Sequence, residues 1–571
     1  MPNDTLQLAD AASAYYGFVI SDLNAEFFDK SGNRKGSDNK FFRQHEYDGY
    51  GQDTWKVRSN LTLNLGVRYQ FDGVPYEQSS NFSNLLTNPA SFPVVFSIVG
   101  PGTGKQIYQD DYSEIEPRLG FSWDPWNNGK TAIRGAFGIF HDRVFGNLFG
   151  NARSNPPFEV DYQQFPEETI NNALGSGLFP SIVPTKSPSA TIPDGANLAP
   201  VIFDTHFRPS ASYNWNFGIQ RELGGNTSLD LAYVASKGTH IYREMDGNPP
   251  NPSAVATLVS ICSNPSDPRN TTGCVPTDVT KLNLFEGAEF GVLPFNAVAH
   301  NAMVQPFYIR SVGNSNYNSL QLKLTHRMSR GLEVQGSYTF AHAIDDSGDP
   351  LAPAAGNRGF PRNSLNLGQE RGNSDNDVRH VAVINYIWQA PIGRGRAYLN
   401  GGVLGKAFEG IQFSGITTLQ TGHPFEVYST TDSQRTGLSN RADLIGDPYA
   451  PGLNPNSGSG KVYFSNPSAF AQPQYGGPGN IGRNRLYGPG YVDFDLEFSK
   501  KIVITERVGM EFRVEGYNIF NHPHFTNPGA DSGAIGNQLG SPLFGIITST
   551  VPQPDQTTSA RQLQVALKLN F

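Results

Sequence analysis

Hydrophobic and polar positions alternate along most of this chain. Between Asn60 and Phe71, Leu61, Leu63, Leu65, Val67, Tyr69 and Phe71 share one face, and Thr62, Asn64, Gly66, Arg68 and Gln70 share the other. A period of two puts successive side chains on opposite sides of an extended backbone, so the segment predicts a two-faced β-strand. The C-terminus repeats it, with Leu563, Val565, Leu567, Leu569 and Phe571 against Gln562, Gln564, Ala566, Lys568 and Asn570. Segments 213–223, 319–327, 332–340 and 492–499 follow the same rule, as do Met510, Phe512 and Val514 against Glu511, Arg513 and Glu515. Helical periodicity is almost absent.

These runs are about 9–13 residues long, against five or six for a usual globular strand. Eleven residues at ~3.4 Å rise, tilted ~45°, cover ~26 Å, the height of the apolar band of a membrane barrel. The polar faces carry Asn, Gln, Arg, Lys and Glu, which suit a wet lumen better than a dry interior. The connections alternate in length. Short ones are expected near residues 58–60, 124–130, 223–226, 328–331 and 500–507, with a somewhat longer one at 391–407. Long ones are expected at about 72–116, 142–210, 237–315, 344–377, 421–490 and 520–560. Outer-membrane barrels pair short periplasmic turns with long extracellular loops, and counting back from the terminal strand keeps that parity throughout. Thirteen strands are read in this way, and Ser13 to Ile20 is expected to supply another, giving about fourteen. The fold class expected is therefore all-β, a large antiparallel transmembrane β-barrel. Its division is into an N-terminal strand and extracellular loop over 1–42 and the barrel over 43–571. All five tryptophans, Trp55, Trp123, Trp126, Trp215 and Trp388, lie on or beside strands, where an interfacial girdle is expected.

Composition narrows the function. The 571 residues include 61 Gly and 41 Pro, a turn-rich total, while 12% aromatic residues are ample for folding. A net charge of -8 with 43 Lys and Arg leaves no basic stripe for nucleic acid. No apolar run reaches the ~18 residues of a transmembrane helix. The first residues have neither the basic nor the apolar region of an export signal, which fits a cytosolic protein or a piece of a longer precursor. Cys262 and Cys274 lack the four-ligand set of a structural zinc site and are expected to close a small loop by a disulfide outside the cytoplasm; two free thiols are the alternative.

Motifs resembling chemistry have blander readings. Gly477 to Gly482 spells G-x-G-x-x-G, yet neither a preceding buried strand nor a following helix is predicted, so no dinucleotide site is expected. Gly102 to Lys105 and Gly458 to Lys461 resemble phosphate loops but read as turns. His522 and His524 read as a strand-end turn, and Asp345, Asp346, Asp349, Asp375 and Asp377 as solvated loop charge without calcium-loop spacing. No catalytic set, metal site or cofactor site is expected, and the chain does not read as an enzyme.

Several strings resemble the barrel of Oar-like TonB-dependent outer-membrane receptors: EPRLGFSWDP at Glu116 to Pro125, the stretch from Asn318 to Asp346, that from Asp377 to Gly395, and NIFNHPHF at Asn518 to Phe525. Their order extends over most of 43–571. The resemblance implies a ligand-uptake receptor driven by TonB, with about fourteen strands of a twenty-two-stranded barrel represented and no readable TonB box or plug, so the chain is expected to be a fragment. It further implies outer-membrane lipid as surroundings, an unidentified extracellular ligand, and TonB as a partner only through that plug. Phe571 would be the terminal signal for the barrel-assembly machinery. A porin- or adhesin-like barrel without energy coupling, and a secreted soluble carbohydrate-binding β protein, are the competing readings.

Overall fold

A computed structural model describes residues 22–571 except 87–94, 165–199, 248–306 (save 260, 264 and 266), 349–360, 432, 434–439, 453, 456–457, 475–476, 506–507, 531–535 and 552–558. Thirteen long strands form one antiparallel sheet in chain order: β1 (Glu46–Arg58), β2 (Leu61–Asp72), β3 (Ile115–Trp123), β4 (Thr131–His141), β5 (Ala211–Gly224), β6 (Thr227–Asp246), β7 (Phe307–Ser329), β8 (Leu332–Asp345), β9 (His380–Gln389), β10 (Ile411–Gln420), β11 (Tyr491–Val503), β12 (Gly509–Tyr517) and β13 (Gln562–Asn570). Each pairs with its neighbours in sequence. Among the described residues β1 and β13 do not pair with each other. The expected strand at Ser13 to Ile20 lies outside the described residues, as do Cys262 and Cys274.

The register carries the two-faced pattern across the sheet. Leu65 faces Leu119, Leu231 faces Leu322, and Leu322 in turn faces Tyr338. Alongside them, Asp230 faces Lys323, and Lys323 faces Ser337. Apolar side chains therefore form continuous rows on one surface and polar ones on the other, as strand pleating requires. The apolar rows are exposed, with Leu65, Leu231, Leu322 and Leu567 all open. They do not pack against a second sheet, which excludes the dry interface of a sandwich.

At one rim the connections are short. Between β5 and β6, Gly225 and Asn226 have φ of 57° and 63°; between β7 and β8, Arg330 and Gly331 have 51° and 87°. Such left-handed pairs match the twist of a tight hairpin, and glycine occupies them without steric cost. Residues 390–410 form the longest connection on this rim and carry a short helix, Gly402–Phe408. No helix among the described residues is long and apolar enough to cross a membrane.

At the opposite rim all the connections are long, as expected, but two sequence-based expectations are corrected. The strands β6 and β7 run far into the segment 237–315 taken as loop, pairing out to Asp246 and Phe307 past irregularities near Gly238 and Ile241. The other long loops are not structureless. Phe82, Phe149, Phe203, Phe207, Tyr108 and Tyr242 bury together, and Phe425, Val427, Phe464, Phe470 and Phe544 form a second cluster. Asn84 clamps the first, donating to the carbonyls of Ile107 and Phe203 at 2.8 and 3.0 Å while accepting from the Phe203 amide. Buried aromatics supply the apolar area that lets these Gly- and Pro-rich segments order into a crown.

Candidate functional site

The chemistry concentrates in the crown, on segments that rise from β6, β8 and β10. Glu370, in the connection between β8 and β9, sits at its centre. Arg441 donates to it at 2.7 Å through Nη2, and the Arg362 backbone amide donates at 2.9 Å. Arg441 also donates through Nε to Glu426, just beyond β10, at 2.8 Å. Arg362 lies 3.7 Å from Glu426, and its guanidinium stands 4.4 Å over the ring of Tyr428. Arg483 pairs with Asp345 at the top of β8. All of these side chains are buried or nearly so. Arg243, at the top of β6, reaches Glu370 only at 3.8 Å, and its Nε and Nη1 are buried with no hydrogen-bond partner among the described residues.

Burial pushes the Glu426 carboxyl up, but Arg441, Arg362 and Arg483 outweigh it and hold the group down at about 2. Burial likewise lowers Arg441, yet Glu426 and Glu370 raise it overall. For Arg243 burial, helped by the nearby Arg483 and Arg441 cations, prevails over the Glu370 and Asp346 carboxylates, so its cation is disfavoured. The network encloses a cavity of about 180 Å³ lined by Arg362, Glu370, His423, Glu426, Arg441 and Arg483. A polar, charged pocket of this kind fixes the orientation of a polar ligand group and repels apolar ones.

A second buried carboxyl lies at the same rim. Glu114, just ahead of β3, has both carboxylate oxygens buried without a hydrogen-bond partner among the described residues. Burial first, then Asp72 and Asp111, push it up to about 8.

Of the loop aspartates, Asp377 is buried and Asp345 and Asp346 are partly buried, which corrects the sequence-based reading for those three, while Asp375 stays exposed as expected. Asp345 is engaged by Arg483, and Asp346 accepts from the Asn314 amide at 2.6 Å. Asp377 is fully buried and accepts from Arg379, the Tyr487 hydroxyl and the Ala343 amide. Asp375 accepts from Asn484 at 2.6 Å, and Asp349 lies outside the described residues. Apart from Arg379, their partners come from segments more than thirty residues away, so spacing gave no signal of them. His524 is buried, with Nε2 3.0 Å from the Val492 carbonyl, and Tyr491 packs on its ring. No group of three metal-ligating side chains occurs among the described residues. Residues 101–104 form a turn, and no helix follows 477–482. Phe571 follows β13 and is fully exposed at the short-turn rim.

Below the crown, the polar surface of the sheet carries Glu333, Asp495, Glu497 and Glu515 around a recess of about 470 Å³. Arg513 lies between Glu511 and Glu515 at 3.0 and 3.4 Å. The apolar surface ends near the short-turn rim in Trp55, Trp123 and Trp388, with Trp126 in the turn beyond; such rings partition to a membrane interface. Trp215, on β5, lies higher on the same surface, facing Phe137.

The chain is similar to the TonB-dependent transporter Oar of Myxococcus xanthus, 24% identical over 225 residues that cover 35% of this chain and 18% of that protein. Among solved structures it is similar to the outer-membrane transporter YddB of Escherichia coli, at a TM-score of 0.45 and 8% identity, covering 96% of this chain and 49% of that one. It is also similar to the siderophore receptor PiuA of Acinetobacter baumannii, at a TM-score of 0.39 and 9% identity, covering 96% and 50%. The chain thus spans about half the length of these solved relatives. A family model described as an outer membrane beta barrel domain matches residues 5–564. With its lipid-length strands, exposed apolar rows and one-sided crown, the chain belongs to that outer-membrane β-barrel family, is similar over part of its length to a TonB-dependent transporter, and resides in the cell outer membrane.

Proposed function

We propose that the chain forms the wall and the ligand-facing crown of a receptor that takes up an extracellular ligand with energy from TonB, coupled through a plug domain. The observation that carries this reading is the crown itself. Four of the long connections on one rim, those after β2, β4, β10 and β12, fold into two aromatic clusters, and a charged pocket lies beside the second, an investment in ordered binding surface that a simple diffusion pore does not need. The acidic lumenal surface around Glu497 and Glu515 supports it, since such a wall suits a polar occupant of the lumen. Phe571 is the assembly signal in this reading, placed where the closing strand meets the periplasm. No reaction chemistry is proposed for the chain.

The test is in vivo formaldehyde cross-linking of TonB to the product of the intact locus, combined with planar-bilayer recordings of the same product. A TonB adduct with a closed resting state is expected. A stable, large conductance and no adduct would replace the receptor with a porin-like barrel.

A further inference from the structure

The connection between β9 and β10, residues 390–410, is the longest on the periplasmic rim. It carries no counterpart to the packed aromatic clusters of the crown. Its apolar side chains are instead open: Val403 is 86% exposed, Tyr398 66% and Leu404 58%. Leu399 and Phe408 are open as well. The neighbouring turn after β11 adds exposed Val503 and Ile504. An apolar patch of this kind on a soluble surface marks an interaction site.

Its place relative to the wall shows what covers it. On β11, Phe494, Leu496, Phe498 and Lys500 share the apolar surface, because Phe498 faces Phe413 and Lys500 faces Ile411 across the register. The Lys500 ammonium donates to the Ala407 carbonyl in the short helix Gly402–Phe408. The end of that helix is therefore tied to the hydrocarbon-facing side of the wall rather than to the lumen side. The patch continues the row formed by Trp388, Phe413 and Phe498 toward the periplasm.

Charge gives the partner's sign. Within 390–410 the charged side chains are Arg394, Arg396, Lys406 and Glu409, with Lys500 of β11 on the same surface and Lys501 on the opposite one, level with Glu511. Arg396 donates to the Gln389 side chain at 2.9 Å. Arg394 and Lys406 are exposed and make no ion pair with any described residue. A short segment with exposed apolar side chains and exposed cations free of ion pairs fits a membrane interface bearing anionic headgroups. We propose that residues 398–408 seat in the periplasmic leaflet of the outer membrane and bind an anionic phospholipid headgroup through Arg394 and Lys406.

The test uses the chain reconstituted in nanodiscs, which leave both faces accessible, with heat-modifiable migration verifying assembly. In Val403→Trp, the additional tryptophan emission over wild type is read with brominated phosphatidylcholine or brominated phosphatidylglycerol at equal mole fraction. Quenching by both lipids is expected, at least twofold stronger with the glycerol lipid. Adding Arg394→Glu and Lys406→Glu is expected to abolish that preference and leave the rest. Emission quenched by neither lipid would overturn the seating, and equal quenching in Val403→Trp would overturn the headgroup site. A second measurement needs no substitution: tryptic cleavage after Arg394, Arg396 and Lys406 of the wild-type chain is expected to slow severalfold when nanodiscs of phosphatidylcholine include phosphatidylglycerol. Unchanged cleavage would count against the site.

Discussion

Trp388 on β9 stacks on Phe413 of β10, with ring centroids 5.7 Å apart and planes at 26°, and Phe413 meets Phe498 edge-on at 5.4 Å. The three rings are cross-strand neighbours on the apolar surface. Aromatic pairs of this geometry couple by about 0.5–1.5 kcal/mol beyond area burial. A double-mutant cycle of Trp388→Ala and Phe413→Ala, read by urea titration of the assembled chain in vesicles, is expected to return a coupling in that range. Additive losses would show that the rings act through lipid and not through each other.

The two surfaces of the wall should differ sharply in their response to charge. Leu322, central in β7 and flanked by Leu231 and Tyr338, faces hydrocarbon; Gln321 beside it faces water. Leu322→Arg is expected to cost about 2–4 kcal/mol, as for a cation near a bilayer midplane. Gln321→Arg is expected to be mild by the same titration.

In the crown, Arg441 holds two buried carboxylates. Removing it takes the nearest cation from both and leaves them only Arg362 and Arg243 at 3.7 and 3.8 Å, and breaking a buried pair in this way costs about 3–5 kcal/mol. Arg441→Ala is expected to accelerate amide exchange at Ala442, which donates to the Val427 carbonyl, and at Ser429, which donates to the Asn440 carbonyl, with the wall strands unaffected. Because Glu426 sits at about 2, below its ordinary value of 4.5, its contribution is present above the ordinary value and lost as pH falls through about 2.

Glu114 has the opposite sign. Its folded-state value of about 8 lies above the ordinary 4.5, so the folded crown binds the proton more tightly than the unfolded chain does. The associated stability is complete below 4.5 and disappears as pH rises through about 8, when a carboxylate must ionise in a buried place. Proteolytic nicking of the connection between β2 and β3 is expected to increase across that window. Glu114→Gln is expected to flatten the profile.

Deleting Phe571 is expected to lower the assembled fraction in cells while leaving folding into detergent micelles intact, measured by heat-modifiable migration of membrane fractions. Equal cellular assembly would remove Phe571 from the role of an assembly signal.

The wall was legible because its physics is local. A strand with lipid outside and water inside declares itself every second residue, as Leu61 to Phe71 do, and the short turns interrupt it at fixed distances. The crown was not, because its order comes from distant partners. Asn84 binds Phe203 across 119 positions, and Glu370 meets Arg441 across 71. Asp345 and Asp377 looked solvated for the same reason, since Arg483 and Tyr487 reach them only once the loops have folded. The outward run of β6 and β7 past the membrane was hidden by the irregularities near Gly238, which break the alternation without ending the pairing.

An odd count of staves has a directional consequence. With thirteen among the described residues, β1 and β13 both descend from the cell surface toward the periplasm, so joining them edge to edge would make the single parallel seam in an otherwise antiparallel wall. A uniformly alternating cylinder requires an odd number of additional staves between them, and every one must present backbone donors and acceptors in register with both neighbours.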